Sequence, residues 1–180
     1  MDQRLLRRGA GRLLSAAPGS GVFTGYASLF GRRDGQGDAV MAGAFTGSLR
    51  RKGVDGIRML FQHNPAEPVG TWLEIRENER GLFVRGRLNK DVQRGRELLA
   101  LLEQGAIDGL SIGFKTIRAR RDQATATRQL LEVDLWEISL VTFPMLDGAR
   151  VSSVKSRAWT HAEGFFNLRN KPETTIQSTA

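Results

Sequence analysis

Gly109-Leu110-Ser111-Ile112-Gly113-Phe114-Lys115-Thr116-Ile117-Arg118-Ala119-Arg120-Arg121 is the stretch on which the fold turns. Its first five residues satisfy the G-x-S-x-G pattern of a nucleophile elbow. That elbow demands a strand, a sharp turn at the serine, and then a helix. The residues after Ser111 do not read as a helix. Ile112, Phe114 and Ile117 are interleaved with small and polar residues in strand-like alternation. The stretch therefore predicts one strand running through Ser111. An elbow-type site of the α/β-hydrolase kind would also need its histidine downstream, and the only one there is His161, in a polar tail.

On the N-terminal side of this stretch, Asp91 to Gln104 has helical spacing, with Val92, Leu98, Leu99, Leu101 and Leu102 apolar. Asn89 or Asp91 is available as its N-cap, and Gly105 follows its end. Arg128 to Phe143 reads as a long strand stopped by Pro144. Upstream, Val22 to Phe30 reads as a strand ending at the turn-rich Gly31 to Gly37. Ala44 to Lys52 reads as a short helix closed by Gly53, and Ile57 to Gln62 as a strand leading into His63. Val69 to Ile75 and Leu82 to Leu88 alternate on either side of Glu79-Arg80-Gly81, a hairpin signal. Many antiparallel strands with one or two helices predict a mainly β (α+β) domain. The expected architecture is an antiparallel β-barrel, closed or nearly so, with flanking helices.

The chain has 180 residues, 40% of them hydrophobic, enough for one domain with a core plus tails. Three zones are expected. Residues 1–20 form a basic leader carrying Arg4, Arg7, Arg8 and Arg12, without the continuous apolar run of a secretory signal. Residues 21–154 form the folded domain. Residues 155–180 form a polar tail, in which only Phe165 and Phe166 look able to dock.

There is no cysteine, which excludes disulfides, thiolate nucleophiles and zinc–cysteine sites. His63 and His161 lie far apart with no carboxylate cluster beside either, so no metal and no cofactor is expected. No apolar run approaches the roughly 20 residues of a membrane span. Lys and Arg number 27 against 19 Asp and Glu, a net charge of +8 that permits nucleic-acid or acidic-protein partners. The arginines are scattered, often beside glutamate, with no dense basic tract and interleaved aromatics. Specific nucleic-acid binding is therefore not expected.

Three segments carry residues suited to chemistry. His63 ends the apolar Leu60-Phe61-Gln62 and precedes Asn64-Pro65, a turn signal that would leave the imidazole at the sheet rim. Its ordinary pKa near 6.5 suits it to take a proton from a hydroxyl. Ser111 is flanked by glycines that let a substrate backbone approach. Glu137, in Leu135-Trp136-Glu137-Ile138-Ser139-Leu140-Val141-Thr142-Phe143-Pro144, would share a strand face with Leu135 and Ser139. A carboxylate among apolar neighbours is costly unless it has a partner, and a histidine would be a suitable one. Taken singly, each segment also reads as ordinary structure: a rim histidine, a small strand residue, a glutamate paired with an arginine. Together they supply a base, a nucleophile and an orienting acid in the order His63, Ser111, Glu137.

These segments resemble the prohead maturation proteases of tailed phages, a serine protease family related in fold to the herpesvirus assemblins. The resemblance runs from Gly25-Tyr26-Ala27-Ser28-Leu29-Phe30 through Leu60 to His63, Pro68-Val69-Gly70, Gly81-Leu82-Phe83-Val84, Gly109 to Phe114 and Glu137 to Pro144. It covers roughly residues 22–154. One departure is Met145-Leu146-Asp147, where the family often has Ala-Asn-Pro.

The resemblance implies a herpesvirus-assemblin-like barrel, with Ser111 as nucleophile, His63 as base and Glu137 as third member. Assemblins use a second histidine in that third place, which makes His161 the alternative. It also implies a serine endopeptidase acting in the bacterial host cytoplasm, inside the immature phage or phage-like capsid. Its expected partners are the scaffold protein and the major capsid protein. It would cleave the scaffold or the scaffolding segment of the capsid protein, and itself. Because assemblins act as dimers, a homodimer is among the implied partners. Three other readings make different predictions. A small G-x-S-x-G esterase requires a helix directly after Ser111. A catalytically silent capsid-assembly or scaffold-binding module would bind shell protein regardless of Ser111. A basic nucleic-acid binder would show steep salt dependence.

Overall fold

A computed structural model describes residues 20–155. Eight strands and two helices follow in the order β1 (Val22–Leu29), β2 (Asp38–Val40), α1 (Thr46–Lys52), β3 (Arg58–Phe61), β4 (Asn64–Glu77), β5 (Gly81–Leu88), α2 (Gln93–Glu103), β6 (Gly109–Arg121), β7 (Arg128–Val141) and β8 (Val151–Val154). The protein is mainly β, as its alternation predicts. Residues 1–19 of the expected leader and 156–180 of the expected tail, among them His161, Phe165 and Phe166, lie outside the described residues.

All eight strands belong to one sheet, ordered β2-β7-β3-β4-β5-β1-β8, with β6 on the other side of β7. Strand β7 is its spine. Along one edge it pairs antiparallel with β6; along the other it takes first β2 and then β3, both parallel. An all-antiparallel sheet was expected, so this is a correction. β3 and β7 are joined through β4, β5, α2 and β6, and so long a connection can return a strand in the parallel sense. Among the described residues the strand path does not close on itself. An isolated bridge, Gly109 to Arg150, links the start of β6 to the approach to β8.

Between its contacts with β2 and β3, strand β7 has no neighbouring strand on that edge among the described residues, and its backbone groups need other partners. Helix α1 and the residues before it supply them. Val133 N–H donates to Ala44 O at 3.0 Å. Leu135 N–H donates to Ser48 Oγ at 2.9 Å, and Lys52 Nζ donates to Leu135 O at 2.8 Å. Lys52 also pairs with Asp134 at 2.8 Å. That ammonium, with the Trp136 indole N–H, lowers the Asp134 pKa to about 2. At the other end of α1, Glu77 accepts from Phe45 N–H at 2.9 Å and from the Thr46 hydroxyl at 2.7 Å. Helix α1 thus braces β7 just before Glu137.

The core lies under the sheet. Phe23 and Trp72 meet edge to face at 5.7 Å, and Met59, Leu130, Val133, Leu135, Ile138 and Leu140 are buried around them. Helix α2 contributes Leu98, Leu99 and Leu102, the apolar face its spacing predicts. Neither Asn89 nor Asp91 caps that helix. Asn89 Oδ1 instead accepts Asp91 N–H, two residues on, at 3.0 Å. The β4–β5 hairpin is present, but β4 begins at Asn64, five residues before the alternation becomes clear.

Ser48 is fully buried at the α1–β7 contact. Ser48→Ala would leave the Leu135 N–H without its acceptor, at a cost of roughly 1–3 kcal/mol. Urea denaturation should show a lower midpoint with an unchanged slope.

Candidate active site

His63 sits in a two-residue turn. Phe61 of β3 pairs with Asn64 of β4, leaving only Gln62 and His63 between them. Both have left-handed backbones, with φ of 52° and 59°. Positive φ at both central residues is the hallmark of the tight type I′ hairpin turn, which favours Asn and Gly. Asn64-Pro65 was expected to make the turn; instead both residues already lie in β4. The unfavourable conformation is held from β7. Gln62 N–H donates to Leu140 O at 3.0 Å, and the Gln62 amide donates to Thr142 Oγ1 at 2.7 Å. His63 N–H donates to Ser139 Oγ at 3.0 Å.

Glu137 stands in β7 between Arg58 of β3 and Gly113 of β6. It is 9% exposed. Its two carboxylate oxygens have different partners. Oε1 lies 2.7 Å from His63 Nδ1, and Oε2 accepts from the Ser139 hydroxyl at 2.6 Å. A methyl on Gly113 would come within 2.1 Å of Oε1. The second glycine of G-x-S-x-G is therefore required by the carboxylate across the ladder, not by a turn at the serine. The β6–β7 ladder also passes over Trp136, which has no partner between Leu135 and Glu137. Such a bulge re-aims the side chain beside it.

Ser111 is the third residue of β6 and faces Ser139 in the ladder. Strand β6 continues unbroken to Arg121, so no helix follows the serine and the elbow geometry that an esterase of that type needs is absent. Ser111 and His63 line one cavity of about 300 Å³. Leu110, Ile112 and Phe114 of β6 give it an apolar side, while Arg32, Asp34 and Asp38 supply charge. Among the described residues no hydrogen bond joins Ser111 to His63. Nor is there, among the described residues, a cluster of three or more His, Asp or Glu able to hold a metal ion. No helix among them is long and apolar enough to cross a membrane.

The profile of the caudovirus prohead serine protease family matches residues 12–163. The chain belongs to that family. It is 35% identical over 138 residues to the prohead protease of Enterobacteria phage HK97, covering 76% of this chain and 61% of the relative. It is 26% identical over 133 residues to the prohead protease of Escherichia phage T5, covering 73% and 62%. The chain thus spans about three-fifths of the length of these two relatives. Among solved structures, the capsid assembly protease of bacteriophage T4 superposes with a TM-score of 0.56 at 14% identity, over 68% of this chain and 82% of that one, a likeness of fold.

In this member of the prohead serine protease family, the sequence brings His63, Ser111 and Glu137 forward, and the structure places all three around one corner of β3, β6 and β7. Two neighbours escaped sequence reading. Ser139 was visible as a residue on the face of Glu137 but had no assigned task. Gly113 was visible only as part of a motif that here means something else.

The hydrogen bond that Glu137 accepts from the His63 ring raises the His63 pKa above its ordinary 6.5; partial burial opposes this, and the carboxylate's charge adds to it. A raised histidine pKa stabilises the fold below the unfolded value and ceases to do so as pH rises through the folded value. Glu137→Gln should therefore cost more stability at about pH 5.5 than at about pH 8. Equal costs in denaturant titrations at the two pH values would show that the ion pair is not formed. Gly113→Ala should push the carboxylate away and bring the His63 titration, followed by NMR, back toward its ordinary value.

Proposed function

We propose that the chain is a prohead maturation serine endopeptidase with Ser111 as nucleophile, His63 as general base and then acid, and Glu137 as the group that orients His63. The observation that carries this reading is the 2.7 Å contact between His63 Nδ1 and Glu137, on a cavity that Ser111 also lines. With Nδ1–H committed to the carboxylate, the free ring nitrogen Nε2 is left to take a proton.

Ser111 Oγ attacks the scissile carbonyl carbon as its proton passes to Nε2. The tetrahedral intermediate collapses, the C–N bond breaks, and the imidazolium returns the proton to the leaving amine. Water then repeats the sequence on the acyl-serine, releasing the carboxylate and restoring Ser111. Glu137 stabilises the imidazolium in both halves. No cofactor is needed for these steps.

The proposed substrates are the scaffold, or the scaffolding segment of the major capsid protein, and the chain itself. The HK97 and T5 relatives, both prohead proteases, support this choice. The proposed setting is the interior of the immature capsid in the host cytoplasm, with scaffold and capsid protein as partners and a homodimer as the working form. The same reading treats the sheet as a nearly closed assemblin-like barrel, supported by the Gly109–Arg150 bridge and by Leu110 N–H donating to Ala149 O at 2.9 Å.

Co-expression with the capsid and scaffold proteins tests the function. Wild type should process them and Ser111→Ala should not; equal processing by both would remove Ser111 from the chemistry. A silent assembly module would give binding without processing in either case. Glu137→Gln should keep KM while lowering kcat by on the order of 10⁴, the scale known for an orienting carboxylate in a serine protease triad.

A further inference from the structure

Ser139 is fully buried near the C-terminal end of β7, facing Ser111 on one side and Leu60 on the other. It takes part in a closed circuit of three hydrogen bonds. His63 N–H donates to Ser139 Oγ at 3.0 Å, the Ser139 hydroxyl donates to Glu137 Oε2 at 2.6 Å, and Glu137 Oε1 meets His63 Nδ1 at 2.7 Å. The circuit starts on the backbone of His63 and ends on its ring.

Proton counting fixes its direction. A backbone N–H can only donate, so Ser139 Oγ accepts there and its single proton is left for Glu137. An ionised carboxylate can only accept, so Oε1 is filled by the proton on Nδ1. We propose that Ser139 is a positioning residue of the site: its hydroxyl ties Glu137 to the backbone of His63 and draws off part of the carboxylate's charge. This inference rests on the catalytic reading of His63 given above.

Two consequences follow. The left-handed turn at His63 is anchored through the same hydroxyl that holds the carboxylate, so backbone and ring are oriented together. A donor on Oε2 also makes Oε1 a weaker base, which limits how strongly Glu137 favours the imidazolium and keeps His63 available in its neutral form. A serine retained only for its small size would have neither effect.

Ser139→Ala removes two hydrogen bonds, both within this circuit: the one accepted from His63 N–H and the one donated to Glu137 Oε2. The other charged groups lining the cavity with His63 are Arg32, Asp34 and Asp38. Asp34 accepts two backbone N–H groups and Asp38 pairs with Arg128, and Ser139→Ala touches none of these. Arg58, opposite Glu137 in the β3 ladder, is exposed and donates to Asp55 O.

The experiment uses the full chain. In a Ser111→Ala background, which prevents self-cleavage, the His63 ring is titrated by NMR with and without Ser139→Ala. The midpoint should move up when the hydroxyl is removed. In the otherwise wild-type enzyme, Ser139→Ala should move the acid limb of kcat/KM up with it. It should also lower kcat about ten- to a hundredfold, with KM changed less than about twofold. A midpoint that stays put or moves down overturns the proposal, as does an unchanged kcat. If Ser139→Ala does not fold, Ser139→Cys, with similar volume and a weak donor, decides by the same titration: upward supports, unmoved or downward overturns. The titration needs no proteolysis, so loss of the functional reading, seen as an inactive wild type, is distinguishable from loss of this one.

Discussion

Glu137 is a carboxylate placed in the interior of a central strand, and such a group is tolerated only when donors reach it. Much of the local structure answers that requirement. Each oxygen has its own donor, one from His63 and one from Ser139. Space for the carboxylate comes from the missing side chain of Gly113. Its aim depends on a ladder that passes over Trp136. Removing any one partner would leave a buried charge short of compensation, so the constellation is constrained as a unit.

The constraint reaches into the backbone of the β3–β4 hairpin. Two successive left-handed residues without glycine cost on the order of 1–3 kcal/mol each. That cost persists because Gln62 and His63 are bonded to Leu140, Thr142 and Ser139, all on or just beyond the end of β7. Strain at the turn and satisfaction of the carboxylate are therefore coupled. The turn presents the imidazole over Glu137, and the strand carrying Glu137 holds the turn in its unfavourable form. Helix α1 continues the chain of support by supplying backbone partners to β7 immediately upstream.

Long strands with clear alternation were legible in the sequence, and so was α2, because period and burial agree there. Strands β2 and β8, of three and four residues, were missed: nothing so short carries a period. The parallel sense of β2 and β3 against β7 was missed because alternation records which face a residue takes, not which segment lies beside it. The hairpin at Gln62-His63 was misplaced for a different reason. Its dipeptide has none of the residues such turns favour, and the usual signal, Asn64-Pro65, stands one step too late. Local propensity was overridden by tertiary bonds that only the fold creates. The three proposed site residues were singled out because their segments, ordinary one by one, together supply a base, a hydroxyl and a carboxylate in the order His63, Ser111, Glu137. Ser139 and Gly113 were not, because a serine and a glycine in strands are unremarkable until their neighbours are known.

The placement of Ser111 on a strand, not at an elbow, changes what specifies the site. At an elbow the nucleophile is aimed by a local turn. Here the position of Ser111 relative to Ser139 and Glu137 is set by the β6–β7 register, with Ser111 against Ser139 and Gly113 against Glu137. A slip of one residue would send every side chain of β6 to the opposite face. It would also bring a side chain where Gly113 leaves room for the carboxylate. Leu110 and Leu140, fully buried and paired in the same ladder, make such a slip expensive. The apolar residues beside Ser111 thus do more than fill the core: by locking the register, they keep the hydroxyl on the cavity that His63 shares.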